Sequence, residues 1–335
     1  AGASEELGPH LKGAGFSRPL VVTDPTVRDL PFFKKILADL ERLGLKPDVF
    51  SNIHKNPVKS DVLAGKQAFQ DAGADCIVGI GGGAGMDVAR AITLSIHHHR
   101  DLFDYDDLIG GDQYVTEEVP YFVTLPTTSG TGSEVGRSAI ISEDDTHRKR
   151  ILFSPKLLAK MVFADPVLTM DLPPFVTAAT GMDALTHNME AYIAKGFHPM
   201  CEGNAVQGMS LISENIVQAT KSPDQASRSK MMIASLMGAV AFQKGLGIVH
   251  SLAHPLSSLL DTHHGLANAV NLPYGMDFNA PGLEPAFQRM AQAMNVTGGD
   301  SASLVAYLFY LNEQLGLPEN LGAIGVKEEH LESLA

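Results

Sequence analysis

The chain has 335 residues, 44% hydrophobic and 19% charged, a balance that excludes a disordered, collagen-like or mucin-like polypeptide and favours two domains with substantial cores. With 38 acidic against 25 basic side chains the net charge is −13; such a surface repels phosphate backbones and anionic lipid, so no nucleic-acid or membrane partner is expected. Cys76 and Cys201 are the only cysteines, too few for a disulfide framework, and read as buried thiols of a cytoplasmic protein. The longest nearly apolar stretch, Met231 to Phe242, falls well short of the ~20 residues of a membrane span. The opening residues carry neither a basic nor an apolar leader region, so secretion is not expected, and a start at Ala1 rather than Met reads as a beginning inside a longer chain.

The first half alternates short β-rich runs with amphipathic stretches, the pattern of βαβ units on a parallel sheet. Strands are expected at Pro19–Asp24, Asp48–Phe50, Asp75–Ile80 and Tyr121–Leu125, with helices at Phe32–Leu43, Ser60–Ala72 and about Asp87–His97. Ser138–Ile141 and Ile151–Phe153 form a hairpin around a charged turn, and His97-His98-His99 reads as the exposed end of a helix. From Val176 onward the text is helical. The boundary therefore falls between Pro166 and Pro174, giving an α/β domain over 1–167 with a Rossmann-like parallel sheet and an all-helical domain over 168–335.

Gly79-Ile80-Gly81-Gly82-Gly83-Ala84-Gly85-Met86-Asp87 follows a buried strand and opens a helix, where backbone N–H groups and the helix dipole bind phosphate, although it does not fit the G-x-G-x-x-G spacing. A second loop after a strand, Pro126 to Glu134, sets five hydroxyls among glycines, a density that suits a pyrophosphate and that a plain turn does not need. Asp24, ending the first strand, suits ribose hydroxyls and would repel a 2′-phosphate, which favours NAD over NADP; a turn or N-cap aspartate ahead of Pro25 is the competing reading.

In Gly181-Met182-Asp183-Ala184-Leu185-Thr186-His187 a carboxylate and an imidazole stand one helical turn apart on one face. His250 and His254 repeat that spacing, and His263-His264 follow. Buried imidazoles in such apolar text each need a partner for their lone pairs, and a divalent cation supplies one. One carboxylate with three imidazoles suits Fe²⁺, Zn²⁺, Mn²⁺ or Co²⁺ alike. His250, His254, His263 and His264 compete for the remaining two positions. Pro255 is expected to bend or end the helix and displace His254 from the ligand row, leaving it as a proton carrier beside the metal.

With these residues assembled, the sequence resembles the iron-containing (group III) alcohol dehydrogenase family along nearly its whole length. The specific pieces are Pro126 to Val135, Gly181 to His187 and Gly247 to Asn268. The resemblance implies a dehydroquinate synthase-like fold, metal ligands at Asp183, His187, His250 and His264, and the additional histidine near the substrate at His254. Its cofactor contacts fall on Asp24, Asn56, Gly82, Gly83, Ala84, Asp87, Thr127, Thr128, Thr131, Ser138 and Lys149. Ala84 departs from the family's usual Ser and removes one hydroxyl donor, Arg90 stands where relatives commonly have Lys, and the family's extra N-terminal strand and C-terminal helical tail lie outside this sequence, which reads as a trimmed version. The implied enzyme is an NAD-dependent alcohol dehydrogenase or aldehyde reductase, with iron or zinc, a small alcohol or aldehyde as substrate, a site in the cleft between its domains, and a homodimeric or higher assembly. Alternatives on the same fold are a zinc polyol (glycerol-type) dehydrogenase, a dehydroquinate-synthase-like lyase and a maleylacetate reductase; a non-catalytic NAD- or metal-binding protein is a further one. Val176–Ala191 and Gly245–Pro273 contain no Lys or Arg, which disfavours the phosphorylated or acidic substrates of the lyase and the maleylacetate enzyme.

Overall fold

A computed structural model describes residues 1–334 and divides the chain into two units, residues 1–127 with 133–168 and residues 128–132 with 169 to the end. Residues 128–132, which a division at 167/168 assigns to the first domain, thus cluster with the second unit.

In the first unit the element order is α1 (Leu7–Gly13), β1 (Pro19–Val22), α2 (Pro25–Arg28), α3 (Pro31–Arg42), β2 (Asp48–Phe50), α4 (Lys59–Ala72), β3 (Cys76–Gly81), α5 (Gly83–His97), β4 (Tyr121–Pro126), β5 (Ser138–Ser142), β6 (Lys149–Phe153) and β7 (Met161–Val162). Five strands form a parallel sheet in the order β2-β1-β3-β4-β7. Side-chain alternation sorts its apolar runs into two cores. Leu20, Val22, Ile77 and Phe122 join Val62 of α4 and Val88 and Ile92 of α5. Val21, Val78, Ile80, Val123 and Leu125 join Leu11 of α1 and Phe33, Ile36 and Leu40 of α3. Burial on both faces explains why these strands read as continuous apolar text rather than as alternation. β5 and β6 pair antiparallel, Ser142 opposite Lys149.

Helix α5 begins four residues before the expected Asp87, because the glycine turn itself forms its first turn. The histidine run at its other end is not uniformly exposed. His98 is buried, its Nδ1 donating to the Leu94 carbonyl at 3.0 Å and its Nε2 accepting from the Glu117 amide at 3.2 Å. The helix stops at His97, and the chain's change of direction turns the next ring inward, where burial lowers its pKa.

The second unit is helical: α6 (Pro174–Ile193), α7 (Pro199–Lys221), α8 (Gln225–Ala241), α9 (Ile248–Leu260), α10 (His264–Asn279), α11 (Glu284–Ala293), α12 (Ser301–Gln314) and α13 (Leu331–Leu334). Its core gathers Met182, Leu185, Met189, Met209, Ile216, Met231, Leu272, Phe287 and Leu308. Helix α6 is buried without interruption from Thr177 to Ala191, the mark of a central helix wrapped on all sides. Its neighbours come close through small residues: a Cβ on Gly208 of α7 would stand 2.1 Å from Asn188 Oδ1, and one on Gly238 of α8 would stand 2.7 Å from Asn188 Nδ2. Among the described residues no single helix is long and apolar enough to cross a membrane.

Pro255 does not end α9, which continues to Leu260 and closes on Asp261 in the left-handed region at φ 51°. A proline costs a helix one N–H and crowds the preceding turn, yet Ala253 and Leu256 on either side are buried, and that packing holds the helix together. His254 therefore lies one turn beyond His250 on a continuous helix.

Candidate metal centre and nucleotide-binding turn

Helix α6 carries Asp183 and His187 on one buried face, α9 brings His250 in its first turn, and α10 starts with His264. The three Nε2 atoms converge on one carboxylate oxygen. His187, His250 and His264 lie 4.0, 3.9 and 3.7 Å from Asp183 Oδ1, and single ligand atoms of Asp183, His187 and His250 all fall within 4.8 Å of one another. Gly265 permits this approach, since a Cβ there would stand 2.5 Å from the Ala179 carbonyl on α6.

Burial works against the Asp183 charge, but His187, His264 and His250 with the Asn268 amide hold its pKa down at about 2, while burial pushes His187 down to about 4. At neutral pH the carboxylate is thus charged and the His187 imidazole neutral, the protonation a divalent cation demands of its ligands. Asn268 marks the same point. Its Nδ2 donates to Asp183 Oδ1 at 2.6 Å and lies 3.2 Å from Nε2 of both His250 and His264, while its Oδ1 is buried with no hydrogen-bond partner. Lone pairs of one carboxylate and neighbouring imidazoles gathered around one point fit a divalent metal.

His254 is half-buried, its ring centroid 6.2 Å from that of His250 and 5.4 Å from that of His264. His263 caps α10, its Nδ1 accepting from the Leu266 amide at 3.4 Å. Phe242 packs against His187 with centroids 5.1 Å apart.

Sequence reasoning passed over two residues here. Glu190 lies one further turn along α6, and its buried carboxylate accepts from His250 Nδ1 at 2.6 Å and from the Val249 amide at 2.7 Å. Burial opposes its charge, but these bonds prevail and its pKa is lowered. The 183, 187, 190 spacing held the signal. Asn268 is the other, four residues after His264 on α10.

In the first unit, Gly82 is the N-cap of α5 with no side-chain cap, and Gly82, Gly83 and Ala84 are partly accessible. The amides of the first helical turn have no intrahelical acceptor and are available to an anion. Thr127 donates its amide to the Gly81 carbonyl at 2.9 Å. Asp24 caps α2, its Oδ1 accepting from the amides of Thr26 and Val27, both at 2.9 Å, while its Oδ2 would lie 3.6 Å from a Cβ on Gly81. It is thus an N-cap and also faces the glycine turn.

Asp87 is engaged on both oxygens: Oδ1 accepts from Ser133 Oγ at 2.6 Å and Arg90 Nη1 at 3.0 Å, Oδ2 from the Ile140 amide at 3.1 Å. Arg90, fully buried, also donates to the carbonyls of Ser133, Ser138 and Leu157 and to Ser133 Oγ. Ser138 opens β5, and the Pro57 carbonyl, next to Asn56, accepts from the Ser142 amide opposite Lys149. Asn56, Ser138 and Lys149 thereby share the hairpin region. Thr128 and Thr131 belong to the second unit, where Ser235 donates to the Gly130 carbonyl at 3.0 Å and a Cβ on Gly130 would stand 2.7 Å from Thr180.

Comparison with known proteins accounts for this combination. The family model described as iron-containing alcohol dehydrogenase matches residues 1–166, and that of the Fe-containing alcohol dehydrogenase family, C-terminal, matches 177–335. A 4-hydroxybutyrate dehydrogenase of Cupriavidus necator is 38% identical over 338 residues, covering 98% of this chain and 87% of its own. An NAD-dependent methanol dehydrogenase of Bacillus methanolicus is 33% identical over 342 residues, covering 100% and 89%. The crystal structure of a 1,3-propanediol oxidoreductase superposes with a TM-score of 0.93 at 33% identity, covering 99% of this chain and 88% of that one. The chain belongs to the iron-containing alcohol dehydrogenase family, as an NAD-dependent oxidoreductase of alcohols and aldehydes with a divalent metal.

Proposed function

We propose that the protein interconverts a small, uncharged alcohol and its aldehyde, with Asp183, His187, His250 and His264 holding the metal and NAD seated on the glycine turn. The convergence of three Nε2 atoms on Asp183 Oδ1 within 4.0 Å carries the reading. A divalent ion in that ligand set supplies Lewis-acid polarisation of the substrate oxygen. Bound NAD would supply the hydride acceptor or donor for the carbinol carbon, and His254, beside His250 and His264, is the residue that would take the hydroxyl proton. A pyrophosphate would take the amides of Gly83 and Ala84 with the hydroxyl of Thr127; Asn56, Asp87, Ser138 and Lys149 would order the surrounding loops, and Asp24 would select the free ribose hydroxyl.

Substrate charge separates this chain from the relative that acts on 4-hydroxybutyrate. Gly245 to Pro273 contain no Lys or Arg, so the helices presenting His250 and His264 offer no partner to a substrate carboxylate. A cytoplasmic homodimer or larger assembly accompanies the reading, supported by the net charge of −13 and by exposed Phe197, Met200 and Phe278.

Metal analysis of protein purified anaerobically tests it, paired with NADH oxidation by propanal, 3-hydroxypropanal and succinic semialdehyde, with and without added Fe²⁺ or Zn²⁺. About one metal per chain is expected, as is metal-dependent turnover with a preference for the uncharged aldehydes. Failure to bind metal after reconstitution would overturn the ligand assignment, and preference for succinic semialdehyde would overturn the substrate class.

A further inference from the structure

Glu190 is the least accessible carboxylate side chain near the ligands, with 0% of its side chain exposed. Burying a carboxylate costs several kcal/mol unless its oxygens are matched by donors. Here every donor comes from the start of α9. Oε1 accepts from the Val249 amide at 2.7 Å, and Oε2 accepts from His250 Nδ1 at 2.6 Å and more weakly from the His250 amide at 3.4 Å. The N-cap of that helix, Gly247, has no side chain to do this work, and a Cβ on it would stand 2.8 Å from Glu190 Oε1. The glycine therefore makes room for a carboxylate delivered from another helix.

The consequence for His250 is chemical. A neutral imidazole carries its proton on one nitrogen and its lone pair on the other. Asp183 Oδ1, 3.9 Å from Nε2, would by itself draw the proton to Nε2 and spoil that atom as a ligand. The Glu190 carboxylate, far closer to Nδ1, draws it to the other side of the ring.

We propose that Glu190 is a positioning residue of the metal centre, holding His250 as the Nδ1–H tautomer with Nε2 turned toward Asp183 while it fastens the first turn of α9 to α6. The assignment rests on the metal reading above, and its test separates the two. Carboxylates in this role typically contribute ~10- to 100-fold to metal affinity. Glu190→Gln should therefore weaken Zn²⁺ or Co²⁺ binding about 10- to 100-fold in a chelator competition, and shift the visible bands of the Co²⁺-loaded protein. Glu190→Asp, which keeps the charge one methylene short, should recover part of the affinity. Affinity of Glu190→Gln within twofold of the parent would overturn the role. If that variant does not fold, the parent protein still decides: ¹⁵N-histidine spectra of the metal-free form should show His250, identified by its loss in His250→Ala, as Nδ1–H, and an Nε2–H signature would overturn the proposal. A parent that binds no metal would refute the metal reading, while the tautomer would still judge Glu190.

Discussion

At the scale of single residues, one oxygen atom organises the second unit's polar chemistry. Asp183 Oδ1 faces three imidazoles and receives the Asn268 amide. Asp183→Ala or His250→Ala should remove both metal retention and turnover, measured by metal content and by NADH oxidation. His254→Ala should keep the metal and reduce kcat by about 10²- to 10⁴-fold, the usual range for a lost general acid or base. Metal loss in His254→Ala with retention in His264→Ala would exchange their roles. The spacing of Asp183 and His187 was legible because it recurs at helical period in apolar text. Glu190 continues that face by one turn, but a Glu there and a lone Asn at 268 are ordinary residues until a partner from a distant helix arrives.

Glu134 offers a second prediction at this scale. It is buried with Oε1 unmatched, and burial lifts its carboxyl from 4.5 to about 7. A carboxyl raised in the folded state keeps a proton that the unfolded chain has released, so its contribution is fully present below pH 4.5 and is lost as pH rises through about 7. The loss amounts to roughly 3 kcal/mol at most. Glu134→Gln should flatten this dependence, so that denaturation midpoints at pH 5 and pH 8 lie closer together than in the parent. Parallel pH curves for the two proteins would refute the assignment.

Among the elements, α5 shows how a helix becomes a fastening. Arg90 lies on its buried side and reaches segments 133–138 and 157, while Asp87 receives donors from Ser133 and Ile140. Removing one member of a buried ion pair leaves the other uncompensated, typically at ~3–5 kcal/mol. Arg90→Ala should lower the stability of the first unit by that order, read as an earlier unfolding transition in urea followed by near-ultraviolet circular dichroism. An unchanged transition would show the network to be dispensable. The strands and long helices were readable from periodicity; the continuity of α9 through Pro255 was not. Proline's local cost is visible in a sequence, but the packing of Ala253 and Leu256 that outweighs it appears only once other helices are in place. His98 failed for a kindred reason, since its two backbone partners, Leu94 and Glu117, lie on opposite sides of a helix end.

For the molecule as a whole, the first unit carries the parallel sheet and the second is helical. The exception is instructive. Residues 128–132 follow a strand, yet they cluster with the second unit, and Gly132, at φ +61° with no room for a Cβ beside Ala239, shows how tightly that segment is held. A glycine there reads in the sequence as a turn, whereas its use is close approach.

The unbroken burial of α6 from Thr177 to Ala191 also has a kinetic meaning. Its amides should be among the last in the second unit to exchange with deuterium, because exposing them requires opening the core. The segment from Asp261 to His263 lies between helices and includes a left-handed aspartate; on the ligand assignment proposed above, an ion is expected to enter or leave beside it while the α6 side of the site stays fixed. Chelation should then accelerate deuterium uptake around 260–264 while leaving 177–191 slow, and uniform acceleration across both would mean that release waits on global unfolding instead.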